Sequence, residues 1–171
     1  LLVCRHKIGA PASADVVVHT ESDPGFFAAV AETHSGRYIL VGAHGTETDD
    51  YRLIDAERPE SAPLLVAGRR TGHEYGIEHA GDRLFIMTNS GDAEDYRIVE
   101  TSVATPTPEH WRELIPHKPG RMLITITAFC DHLVRLERED GLPRIVIRRL
   151  SDGAGRTVTS TRSPSRRRPT P

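Results

Sequence analysis

Gly81-Asp82-Arg83-Leu84-Phe85-Ile86-Met87, followed by Asp95-Tyr96-Arg97-Ile98-Val99, is the stretch that decides the fold. The same order of features stands 45 residues earlier, as Gly36-Arg37-Tyr38-Ile39-Leu40-Val41 followed by Asp50-Tyr51-Arg52-Leu53-Ile54. A weaker copy comes later, His132-Leu133-Val134-Arg135-Leu136 and then Gly141-Leu142-Pro143-Arg144-Ile145-Val146-Ile147. The closing arginines fall at 52, 97 and 144, so the steps are 45 and 47 residues. A period of roughly 40–50 residues with several short strands per unit is that of a β-propeller blade.

Working outward, the first full unit reads as strands over Phe26–Thr33, Arg37–Val41, Tyr51–Asp55 and Pro63–Ala67. The second reads as Glu74–His79, Arg83–Thr88, Tyr96–Thr101 and Trp111–Ile115. The third reads as Arg121–Phe129, His132–Arg138 and Arg144–Leu150, with Arg156-Thr157-Val158-Thr159 as the start of its fourth strand. Leu1–His6 and Asp15–Glu21 read as the last strands of a blade that begins upstream. The fold class is therefore all-β: a partial β-propeller of about three four-stranded antiparallel blades. The blades are placed at 23–70, 73–118 and 121–155, after the blade end at 1–21.

Tyr38-Ile39-Leu40-Val41 and Leu84-Phe85-Ile86-Met87 are continuous apolar runs, which suits strands covered on both faces. Arg144-Ile145-Val146-Ile147-Arg148-Arg149 alternates more, as a strand nearer the rim does. β-Branched residues cluster, and Gly or Pro interrupts every ten to fifteen residues, which argues against helices. Pro108-Glu109-His110-Trp111-Arg112-Glu113-Leu114 is the exception and could form a helical turn.

The hydrophobic share is 37%, with 14 Gly and 12 Pro. On the usual definition, which counts Gly, the share is about 43%, ordinary for a turn-rich β protein. The net charge of −2 divides into +5 on residues 156–171 and −7 on the rest. An acidic body is not that of a nucleic-acid binder. Residues 156–171 are low in complexity and are expected to be a disordered or frame-shifted tail. Arg166-Arg167-Arg168 within them is the only basis for a nucleic-acid reading. No apolar run is long enough for a membrane-spanning helix. Cys4 and Cys130 make no disulfide framework, and reduced thiols suit a cytoplasmic setting. The chain opens on Leu1 rather than Met, so the true N-terminus is expected to be missing.

Candidate chemistry is sparse. There is no Gly-x-Ser-x-Gly elbow, no phosphate-binding loop and no dinucleotide fingerprint. His34-Ser35 puts a base beside a hydroxyl, but neighbours on a turn do not aim at one another. His73 with His79, and His110 with His117, lack Cys or carboxylate partners at ligand spacing. Thr46–Asp50 and Gly91–Asp95 are acidic segments in equivalent places. Calcium could use such oxygens, but the spacing is not that of an EF-hand, and solvated turns are the simpler reading. Trp111, with Leu114 and Ile115, reads as core packing. Tyr51 and Tyr96 read as equivalent packing residues between blades. No catalytic, cofactor-binding or metal-ligating residue is assigned, and no cofactor is expected.

Several stretches resemble the oligopeptidase B branch of the prolyl oligopeptidase family. They are Arg5-His6-Lys7-Ile8-Gly9-Ala10-Pro11, Asp15-Val16-Val17-Val18, Asp23-Pro24-Gly25-Phe26-Phe27, Gly81–Asn89, Ala93–Val99, Trp111–His117 and Asp131–Pro143. They run in order over about residues 1 to 150. The resemblance implies an N-terminal seven-bladed propeller and, elsewhere in the same chain, an α/β-hydrolase domain with a Ser-Asp-His triad. It implies a serine peptidase that cuts short peptides after Arg or Lys, with the propeller keeping folded proteins out. All the resembling residues lie in the propeller portion, so no catalytic residue carries over. The expectation is a piece of a substrate-gating domain, inactive alone. The alternative is a stand-alone propeller-like interaction module that closes by oligomerising.

Overall fold

The computed structural model describes residues 1–158. Within them the secondary structure is strands plus two short 3₁₀ turns. β1 (Leu2–Arg5) pairs antiparallel with β2 (Val16–Thr20) as a two-stranded sheet. Three four-stranded antiparallel sheets follow, each in simple sequential order. The first blade is β3 (Phe27–Glu32), β4 (Tyr38–His44), β5 (Asp49–Asp55) and β6 (Leu64–Ala67). The second is β7 (Tyr75–Ala80), β8 (Arg83–Thr88), β9 (Arg97–Ser102) and β10 (Arg112–Ile115). The third is β11 (Arg121–Ala128), β12 (His132–Glu139), β13 (Leu142–Arg149) and β14 (Gly155–Val158). The partial propeller read from the repeat is therefore the observed architecture, and the arc of blades is not closed.

Two dry seams hold the blades together. Leu40, Leu53, Val66, Tyr75, Ile77, Leu84, Ile86 and Val99 form one cluster, between the first and second blades. Ala80, Phe85, Ile98, Ile115, Leu123, Ile126, Ala128 and Leu133 form the other, between the second and third. Strand β8 explains its own sequence. Successive side chains on a strand point to opposite faces. Leu84 and Ile86 enter the first seam and Phe85 enters the second, and all three are fully buried. A strand between two blades has no wet face, so its apolar run is continuous.

The end faces differ. On β13, Pro143, Ile145 and Arg149 share an exposed face, while Val146 on the other face is buried. The alternation of β13 is thus that of a sheet covered on one face only.

Local departures from the sequence reading have local causes. Pro108–His110 makes a single 3₁₀ turn instead of a longer helical one. Arg112 and Glu113 are already paired with Glu100 and Val99 of β9 and so belong to β10. β9 begins at Arg97, because Tyr96 sits at φ 64°. Tyr51, its counterpart in the repeat, lies inside β5. The fourth strand of the third blade includes Gly155, one residue before the expected start. Arg166-Arg167-Arg168 lie outside the described residues.

Candidate functional site

The first seam is tied by one buried hydroxyl. The register between β5 and β6 shifts between Tyr51 and Arg52. Such a bulge frees backbone groups from the ladder. The Tyr75 hydroxyl, reaching in from β7, accepts from the backbone N–H of Tyr51 at 2.9 Å and of Ala67 at 3.3 Å. It donates to the Ala67 carbonyl at 3.0 Å. Burial drives the Tyr75 phenol well above its ordinary pKa, so it stays a donor. Tyr51 packs edge-on against Tyr75 at 5.2 Å, and burial followed by the charge of Asp49 pushes its phenol up to about 12. Tyr75→Phe keeps the volume and strips the hydroxyl. It is expected to cost about 1–3 kcal/mol, the penalty for buried donors left unpaired. A shift in denaturant midpoint at unchanged slope measures it.

Carboxylates make the second kind of tie. The Asp49 backbone N–H donates to the His73 carbonyl at 2.9 Å, and the Asp49 carboxylate accepts from the Tyr75 N–H at 3.3 Å. At the next seam the Asp95 carbonyl accepts from Leu123 N–H at 3.0 Å, and its carboxylate accepts from Gly120 N–H at 2.7 Å. So each acidic segment anchors the next blade. The solvated-turn reading is corrected here. Thr46 and Glu47 are exposed, but Thr48 and Asp50 are buried.

Asp50 is buried because it has charged company. Arg69 donates through Nε to Asp50 at 2.9 Å and through Nη2 to Glu21 at 2.5 Å. Arg52 donates to the other Asp50 oxygen at 2.5 Å. Glu21, which precedes β3, is also buried, and the Arg69 guanidinium holds its carboxyl below the usual range. Arg69 lies over the Phe26 ring at 3.5 Å. One arginine therefore joins the approach to β3, strand β5 and the loop after β6.

Ser35 does meet a histidine, though not its neighbour. Gly36 turns the chain at φ 66°, and this presents Ser35 Oγ to His79 Nδ1 at 2.9 Å. His79 Nε2–H donates to the Gly81 carbonyl at 2.9 Å, so Nδ1 is the acceptor. Burial lowers the His79 pKa and keeps it neutral. The orienting group is a backbone carbonyl rather than a carboxylate, and Ser35 Oγ also stands 2.9 Å from Thr33 Oγ1. The pair links the β3–β4 turn to β7 rather than activating a nucleophile. His73 is buried, stacked on Tyr75 and bonded to Thr88 Oγ1 at 3.0 Å, again as part of the seam. Trp111 lies 6.1 Å from both rings and donates its indole N–H to the Pro106 carbonyl at 2.8 Å. Tyr96 belongs to the second seam, with its hydroxyl donating to Glu74 at 3.0 Å. Cys4 and Cys130 are both free and exposed. Among the described residues there is no cluster of three metal-ligating side chains.

A cavity of about 260 Å³ draws on the first strands of the three blades and on β4, with Ala29, Ala31, Glu32, Gly42, Glu78 and Thr125 in its wall. Glu78 accepts from His34 N–H at 3.0 Å, and burial raises its pKa. The wall offers shape and partial negative charge.

The family model that matches is described as prolyl oligopeptidase, N-terminal β-propeller domain, and it covers residues 2–165. The chain is 30% identical over 125 residues to a chicken (Gallus gallus) prolyl endopeptidase-like protein, covering 73% of this chain and 17% of that one. It is 29% identical over 141 residues to protease 2 of Moraxella lacunata, covering 82% and 20%. Among solved structures, oligopeptidase B of Trypanosoma brucei superposes with a TM-score of 0.80 at 30% identity, over 90% of this chain and 22% of that one. The chain thus spans about a fifth of the length of these relatives.

Proposed function

The chain belongs to the prolyl oligopeptidase family through its N-terminal β-propeller domain, and from that premise we propose that it is the gating part of a serine oligopeptidase similar to oligopeptidase B. In this reading the blades form a wall that admits short peptides and excludes folded chains. An α/β-hydrolase domain of the same protein would supply the chemistry, with cleavage after Arg or Lys. The supporting observation is the family match across the whole described arc, in blades whose buried polar side chains are largely spent on joining blade to blade. A cytoplasmic setting goes with this reading, since both cysteines are exposed thiols.

The expected result is that the purified chain does not hydrolyse an Arg-blocked fluorogenic peptide, with or without a serine-directed inhibitor. Steady cleavage abolished by that inhibitor overturns the reading. The exposed apolar residues at both ends of the arc favour one second reading, a module that closes by oligomerising. Light scattering separates the two. A discrete oligomer supports the module, and heterogeneous association supports a gating piece.

A further inference from the structure

A second cavity, of about 250 Å³, lies between the β6–β7 loop and the start of β9. Its wall includes Arg70, Arg97, Ser90, His73, Pro108 and Trp111. Two guanidiniums on one small cavity are unusual in a part of the chain that is otherwise tied up in seam bonds.

Neither guanidinium is well used. Arg70 is exposed, and among the described residues its side chain makes no ion pair or hydrogen bond. Arg97 Nε is buried without a partner. Its Nη2 reaches Ser90 Oγ at 3.3 Å, and its Nη1 stands 3.5 Å from Glu113, a half-exposed carboxylate. Arginine presents five donors in a planar fork that fits a carboxylate. Ser90 Oγ accepts from Arg97, which leaves its O–H free to donate. His73 is held neutral by burial and by the nearby Arg70 charge, so the positive charge here is that of the arginines. Trp111 and Pro108 give one apolar side.

We propose that this cavity is a carboxylate-binding site, in which Arg70 and Arg97 hold the anion, Ser90 donates to it, and Trp111 and Pro108 cover its apolar body. The volume is below that of a drug-sized pocket, so it suits a single carboxylate with a short stem. A peptide's free C-terminus and an acidic side chain of a docked segment share that chemistry.

Trp111 is the only Trp of the chain, and it also borders a neighbouring cleft with Arg83 and Arg112, so its emission is read in wild type and in the Arg70 and Arg97 variants, which touch this wall alone. The full chain is titrated with N-acetyl-alanyl-alanine as the free acid, the same dipeptide as its amide, N-acetyl-glutamyl-alanine amide, and inorganic phosphate. The expected result is a saturable change in emission at about millimolar free acid, glutamyl amide or both, with none for the plain amide. A response to the free acid alone identifies a chain end as the ligand, and one to the glutamyl amide alone identifies a side chain. Arg70→Gln removes no described contact and is expected to weaken binding about tenfold or more. Arg97→Lys, which keeps the charge and loses the fork, is expected to weaken it as well. An equal response to the plain amide, a response to phosphate only, or undiminished binding by Arg70→Gln overturns the proposal.

Discussion

Phe85→Ala is expected to destabilise the chain by about 3–5 kcal/mol, the range for deleting a fully buried aromatic side chain. Phe85 sits on β8, the second strand of the middle blade, with none of its surface exposed. Its ring enters the cluster with Ile98, Ile115, Leu123, Ile126 and Leu133. Those neighbours come from two sheets that share no ladder hydrogen bonds. The seam therefore depends on close packing, and a ring-sized void there loses both transfer energy and contacts. Chemical unfolding measures the loss as a lower midpoint. Ile145→Thr is the matched control, because Ile145 lies on the exposed face of β13. It is expected to change stability by no more than about 0.5 kcal/mol. If the two substitutions cost the same, the seams are not what stabilises the arc.

That contrast also shows what was legible in the sequence. Leu84-Phe85-Ile86 announced a strand dry on both faces because the cause is local: three successive side chains, pointing to alternate faces, are fully buried. The period announced the blade because each unit repeats the same local pattern. The Asp-Tyr-Arg repeat was legible only in part. Tyr51 and Tyr96 both pack at seams, but Tyr51 is extended in β5 and Tyr96 is left-handed ahead of β9. Identical side chains do not reveal which copy carries the turn. The acidic segments were misread for a different reason. Burial of Asp50 depends on whether cations reach it, and Arg69 comes from the loop after β6, 19 residues along the chain. Tyr75 was invisible for the same reason, since its role depends on a bulge in a neighbouring blade. Ser35 was weighed against the histidine beside it, while the one it meets, His79, lies 44 residues away in the next blade. Local periodicity reads through to the fold, whereas polar partners are chosen by tertiary approach.

Arg69→Ala is expected to cost about 3 kcal/mol near neutral pH, at the low end for breaking a buried ion pair. The low end applies because the Arg69 side chain is 30% exposed and Asp50 keeps Arg52. Glu21 has no such reserve. Its side chain is 5% exposed, and Arg69 is its only cationic partner among the described residues. The loss should depend on pH in a set direction. The Glu21 carboxyl in the folded chain titrates below its ordinary value of 4.5, first because Arg69 donates to it. A depressed carboxyl stabilises the fold above its unfolded pKa, and that stability is lost as pH falls through the folded one. Removing Arg69 removes the cause of the depression. The gap between wild type and Arg69→Ala should thus be widest near neutrality and shrink below about pH 4.5 as Glu21 protonates. Arg69→Met separates charge from packing, since it retains an apolar stem over Phe26. If Arg69→Met restores most of the loss, the stacking on Phe26 is the larger contribution. If it does not, and Glu21→Gln in the same background does, the buried carboxylate is what Arg69 exists to neutralise. A gap that stays constant from pH 7 to pH 3 would refute the electrostatic account altogether.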